Sequence, residues 1–182
     1  MNCWKPYPFT EEEWNTKGIK LHLGPNQIYL NGFQNIDIDN PVADVNADAT
    51  KLTSYKDNSV SLILASHLLE HFDSKAGYDA LCEWYRVLRP GGWLVMEMPD
   101  IVKCFKIYMD CLEKDNFDSN YDMAMIGIYG RADWSIYQLH RWGYTPKTLS
   151  NILSKVGFKE INELEPLDST AKNYSFRVDC KK

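Results

Sequence analysis

DNSVSLILASHLLEHFDSKAGYDALCEWYRVLRPGGWLVMEMPD, residues 57–100, is the stretch that decides the fold. Val60 to Ala65 is a near-continuous apolar run, the pattern of a strand buried on both faces. Ser74 to Leu88 sets Tyr78, Leu81, Cys82, Tyr85 and Leu88 at three- and four-residue spacing, which predicts an amphipathic helix. Pro90-Gly91-Gly92 then interrupts the chain, and Trp93 to Met98 is apolar again. Together these make one right-handed βαβ unit with polar residues at the carboxyl ends of its strands, where open α/β sheets bind ligands. The same stretch contains His67-Leu-Leu-Glu70-His71, which matches the H-x-x-E-H pattern of a zinc peptidase.

Working outward, short strands are expected at Lys20 to Gly24, Phe33 to Ile38 and Ala43 to Ala47. About eight residues link the first two, too few for a crossover helix, so the early half of the sheet should be thinly covered. Residues 10–16 (TEEEWNT) read as a short helix with Thr10 as N-cap and Glu13 at the capping-box position. Downstream, Ile101 to Leu112 is a helical stretch followed by a polar break. Thr145 caps a helix running to Val156, with Pro146 at its first position and Gly157 as its stop. Phe158 to Glu165 and Tyr174 to Cys180 fit a final antiparallel pair.

At 182 residues the chain suits one domain, residues 1–182, with 1–19 as an N-terminal extension and 100–144 as an insertion over the cleft. Net charge is −5 with scattered Lys and Arg, which argues against a nucleic-acid surface. No apolar run reaches the roughly 20 residues of a membrane span, and the N-terminus lacks a signal-peptide core. The five cysteines are odd in number and form no C-x-x-C pair, so reduced thiols and a cytoplasmic location are expected.

Several elements then fall in a telling order. A strand ends in Gly24, a second in Asp37, and Asp48-Ala49 precedes the buried strand. SHLLEH and EWYRVLRPGGWL follow, and finally Trp142-Gly143-Tyr144-Thr145 leads into a helix closing in Val156-Gly157-Phe158. Over roughly residues 20–165 this resembles a class I S-adenosylmethionine-dependent methyltransferase, in particular a compact type 11-like group with L-H-L-G-C-G followed closely by G-W-x-N-x-D. The resemblance implies a Rossmann-like, mostly parallel seven-stranded sheet flanked by helices, in the order 3-2-1-4-5-7-6. It implies S-adenosylmethionine as cofactor and S-adenosylhomocysteine as product. The methyl acceptor would be an oxygen or nitrogen of a small molecule or saccharide.

Each cofactor candidate has a physical task. Gly24 and Asn26 would bring backbone close to the methionine moiety. Asp37, with Asp39 second, would accept the ribose hydroxyls; the alternative is a turn aspartate ahead of Asn40-Pro41. Asp48 and Ala49 would meet the adenine, against the alternative of a capping or solvated loop acid. Ser66 and His67 would line the cleft at the end of the fourth strand. The chain departs from the group where Pro25-Asn26 replaces Cys-Gly: proline removes a backbone donor, and asparagine enters positive φ less readily than glycine. That departure supports a rival, a non-catalytic binding or scaffold protein of the same fold.

For catalysis the candidates are His140, in the insertion, and His71, whose ordinary pKa near 6.5 suits a general base. The HLLEH segment is expected to open the helix after the fourth strand. A zinc hydrolase using His67, Glu70 and His71 is the remote alternative, and no resident metal is expected. The aromatic residues of the insertion read first as core closure and second as a surface for a substrate or a sulfonium. A homodimer is compatible with the thin early edge.

Overall fold

Val60–Ser66 is buried along nearly its whole length because both faces of the sheet are covered there, and the fold builds out from it. The computed structural model describes residues 13, 15–41, 43–131, 133–166 and 171–182. Seven strands, β1 (Ile19–Leu23), β2 (Gln34–Asp37), β3 (Val45–Asn46), β4 (Val60–Ser66), β5 (Leu88–Pro99), β6 (Lys159–Leu164) and β7 (Ser175–Lys181), form one sheet. Their order is β3-β2-β1-β4-β5-β7-β6, as expected. The first five pair in parallel and β7 runs antiparallel to both β5 and β6. The α-helices that follow β1 in the described residues are α1 (Ser74–Val87), α2 (Ile101–Glu113), α3 (Ser119–Tyr129) and α4 (Pro146–Val156).

Strand alternation sorts the core into two clusters. Ile63, Ala65, Leu94 and Met96 join Leu81 and Trp84 of α1 and Leu149 and Leu153 of α4. Leu62, Leu64 and Val95 face the other way and, among the described residues, cluster with Leu30, Phe33 and Trp93. Among the described residues no helix joins β1 to β2. Asn35 does that work instead: its side chain takes the Leu30 N–H at 3.0 Å and donates to the Leu30 carbonyl at 3.2 Å. Asp44 then receives the Asn35 amide at 2.9 Å and its backbone N–H at 2.8 Å. A fully buried asparagine thus closes the short link by satisfying loop backbone groups that a helix would have satisfied internally.

Three expectations need correction. β5 begins at Leu88, not Trp93: Leu88 already pairs with Val60, and a register shift throws Pro90-Gly91-Gly92 outward before Leu62 meets Trp93. The residue before a proline avoids the helical region, so α1 stops and the chain extends at once. The polar break after α2 is short, because Asp118 caps α3, whose apolar side chains are spread round the helix rather than gathered on one face. HLLEH opens no helix either: His67 lies at φ +52°, Leu69–His71 form a single 3-10 turn, and α1 starts only after the Asp73 cap. Thr10, the expected cap of the first helix, lies outside the described residues. Glu13 is described and buried, with both carboxylate oxygens 3.1 Å from the Arg177 guanidinium.

Candidate active site

The carboxyl ends of β1, β2 and β4 open onto a cavity of about 520 Å³, within the range of small-molecule and cofactor sites. Gly24, Asn26, Asp37, Asp48, Ala49, Ser66 and His67 all line it. All seven residues singled out for the cofactor are thereby brought together. His71 also borders this cavity, as do Tyr137 and Arg141 from the insertion. His140 does not; it lines a smaller neighbouring cavity of about 170 Å³, where it meets His67 and His71 again.

The loop after β1 keeps the path that Pro25-Asn26 put in doubt. Gly24 sits at φ +63° and Asn26 at φ +48°, so asparagine occupies the left-handed region directly. The Asn40 side-chain amide donates to the Asn26 carbonyl and holds it there. Gly24 is required twice over, since a Cβ would lie 2.9 Å from Leu68 Cδ1. The loop therefore presents backbone to the cavity, short only of the donor that Pro25 removes.

Asp37 ends β2 with one carboxylate oxygen accepting the Asp39 N–H at 3.0 Å. Asp48 is more committed: its Oδ1 takes the Thr50 N–H at 2.8 Å and the Thr50 hydroxyl at 2.7 Å, a turn arrangement like its alternative reading. Ala49 is anchored by Trp84, whose indole N–H donates to its carbonyl at 2.8 Å. His22, on β1 beneath the cavity, is almost fully buried. Burial pushes its pKa down to about 4 against the opposing pull of Asn35 and Asp37.

Beside the cavity lies a cluster that the sequence did not disclose. His67 Nδ1 is 3.3 Å from Glu70 and its Nε2 is 3.4 Å from Glu97, both carboxylates being buried. Burial alone would lower the His67 pKa, but the hydrogen bonds and charges of the two glutamates outweigh it and raise it to about 10. Glu70 is likewise disfavoured by burial, yet the His67 hydrogen bond and charge hold it below the usual carboxylate range. Both His67 nitrogens face carboxylates and the segment is not helical, so the peptidase-type arrangement of His67 and His71 on one helix face is absent. Glu97 had a sequence signal, a lone acid within the apolar run LVMEMP.

The insertion is tied to this cluster by backbone. The Glu70 carbonyl accepts the N–H groups of Arg141 and Trp142, at 2.8 and 3.2 Å, and His140 N–H reaches the Tyr129 carbonyl at 3.0 Å. Gly130, at φ +75°, allows the chain to double back; a Cβ there would sit 2.0 Å from the Gln138 carbonyl. His71 and His140 meet edge to face with ring centroids 5.0 Å apart. Burial lowers the His140 pKa despite the nearby Glu70 charge, keeping the ring neutral near pH 7.

A family model described as a methyltransferase domain matches residues 24–96, from the loop glycine into β5. Solved structures share the fold at low identity. A S-adenosylmethionine-dependent methyltransferase from Methanosarcina mazei is 18% identical, with 97% of each chain covered and a TM-score of 0.66. The N-methyltransferase NodS from Bradyrhizobium japonicum, solved with S-adenosyl-L-homocysteine, is 13% identical over 94% of this chain and 81% of its own, with a TM-score of 0.57. The 1,6-didemethyltoxoflavin-N1-methyltransferase of Burkholderia thailandensis, solved with bound 1,6-didemethyltoxoflavin and S-adenosylhomocysteine, is 13% identical over 93% of this chain and 72% of its own, with a TM-score of 0.61. No curated protein sequence matches the chain.

Proposed function

We propose that this chain, a class I S-adenosylmethionine-dependent methyltransferase by domain match and fold, methylates an oxygen or nitrogen of a small molecule or saccharide. The carrying observation is the convergence of Gly24, Asn26, Asp37, Asp48, Ala49, Ser66 and His67 on one cavity of cofactor size. S-adenosylmethionine supplies the activated methyl group on its sulfonium sulfur. The residues fit it: Gly24 and Asn26 hold the loop backbone in the left-handed region along the cavity wall, and Asp37 keeps an oxygen beyond the one engaged by Asp39. Asp37 would hold the ribose hydroxyls. The Asp48-Ala49 segment, fixed by Trp84, would flank the base.

The acceptor belongs in the smaller cavity, because His67 and His71 border both spaces. About 170 Å³ suits a small acceptor group better than a macromolecular surface. Two structural neighbours named as N-methyltransferases, one of them of 1,6-didemethyltoxoflavin, favour the same class. Most of the rate would come from positioning, where proximity can contribute ~7–11 kcal/mol. Any proton released by the acceptor would be taken up at the polar wall where Glu70, His71 and His140 converge. The free thiols of Cys82, Cys104, Cys111 and Cys180 favour a reducing, cytoplasmic setting. Among the described residues no strand extends the sheet beyond β3, an edge that favours a homodimer.

Isothermal titration with S-adenosylmethionine and S-adenosylhomocysteine tests the reading. One-to-one binding is expected for both; no detectable heat at millimolar ligand would overturn it.

A further inference from the structure

We infer that Glu70, His71 and His140 form a binding site for one divalent transition-metal ion of the zinc, cobalt or nickel type. One ligand atom from each lies within 4.8 Å of the other two. With bonds of about 2.0–2.2 Å, tetrahedral ligand atoms stand roughly 3.4 Å apart, so the three side chains need to close by about an ångström.

The hydrogen bonding fixes which atoms face the site. His71 Nδ1 lies 3.1 Å from the Leu139 carbonyl oxygen and His140 Nδ1 3.0 Å from that of Gly127. A carbonyl only accepts, so each Nδ1 carries the hydrogen, and in the neutral ring Nε2 is then the nitrogen with the lone pair. This is how imidazoles that bind metals are oriented: the far nitrogen donates to a carbonyl and the near one is left as ligand.

Glu70 gives the second, independent indication. Its side chain is 3% exposed, and neither carboxylate oxygen accepts a hydrogen bond of good geometry. His67 approaches Oε1 at 3.3 Å, and His140 Nε2 stands 4.0 Å from the same oxygen. The His67 charge offsets that of Glu70, but the carboxylate and the two imidazole nitrogens still gather acceptors round one point, which a metal cation satisfies. Two imidazoles and one carboxylate suit the borderline transition metals rather than magnesium or calcium. His71 and His140 also line the smaller cavity, so a fourth coordination position has access from it. The ligand set differs from the peptidase-like pattern because His140 takes the place of His67.

A bound ion would take the Nε2 lone pairs that could otherwise accept the acceptor's proton, so a filled site excludes that role. The binding test uses neither methyl donor nor acceptor, and its failure would leave the methyl-transfer reading untouched. The test uses untagged full-length protein stripped with chelator, then titrated with Co²⁺ while the visible d–d absorption is read. Zn²⁺ retained after dialysis is counted by mass spectrometry. One ion per chain is expected in the parent protein. In Glu70→Gln and in His140→Gln, affinity should fall by more than the ~10–100-fold that losing even an outer partner costs. Circular dichroism checks that each variant is folded; if Glu70→Gln is not, His140→Gln decides. Absence of binding in the parent, or binding that a folded variant retains unchanged, overturns the proposal.

Discussion

The neutral state of His22 should make the fold lose stability on mild acidification. The ring sits on β1, 1% exposed, with Nδ1 3.1 Å from the side-chain oxygen of Asn35. The Asn35 amide nitrogen donates to the Leu30 carbonyl and to Asp44, so its oxygen is the acceptor and His22 Nδ1 carries the hydrogen. Burial lowers the pKa from 6.5 to about 4. The unfolded chain therefore takes up a proton near pH 6.5 that the folded chain refuses until about pH 4. The contribution is complete above pH 6.5, is lost as pH falls through that window, and is gone below about 4. At about 1.4 kcal/mol per pH unit, the loss across the window is roughly 3 kcal/mol. Urea denaturation of the parent and of His22→Gln, at steps between pH 4 and 7, isolates the effect, because other titrating groups cancel in the difference. The stability difference should slope by about 1.4 kcal/mol per pH unit and flatten above 6.5. A flat difference across the window, or a His22 imidazole proton resonance titrating near 6.5, would refute the reasoning.

Two further predictions concern the larger cavity. Asp37→Asn keeps shape but removes charge, and replacing two charge-assisted bonds by neutral ones should cost roughly 2–3 kcal/mol, or ~30–150-fold in S-adenosylhomocysteine affinity. Calorimetry that finds a change below about threefold would sink the ribose assignment. Trp84→Phe orphans the buried Ala49 carbonyl and leaves a small void, so roughly 2–4 kcal/mol of stability should go. A urea midpoint that barely moves would show that the indole does not anchor the Asp48-Ala49 segment.

The candidate site was legible where a local pattern and a strand end coincide. Gly24, Asp37 and Ser66 end parallel strands, and a parallel sheet delivers all such ends to one side. Asp48 was legible in place but not in state, since its bond to Thr50 is a matter of local rotamer. The region around His67 was misread in form because H-x-x-E-H spacing carries no information on the positive φ that ends β4. α3 escaped notice because its apolar residues follow no single face, leaving only Asp118 as a signal. The insertion's fold was hidden for a related reason: its anchor is the Glu70 carbonyl, a main-chain atom that no side-chain pattern reveals.

By itself the sequence determined the sheet, its order through family resemblance, and the membership of the larger cavity. These follow from hydrophobic periodicity and chain connectivity, which are local and directional. Only the tertiary structure decided that His140 joins Glu70 and His71, 69 to 70 positions away in the chain. It also decided that His67 is held between two buried glutamates and that Asn26 accepts the left-handed backbone. Those outcomes depend on burial, tautomer and backbone anchoring between distant segments, and such quantities exist only once the chain has packed.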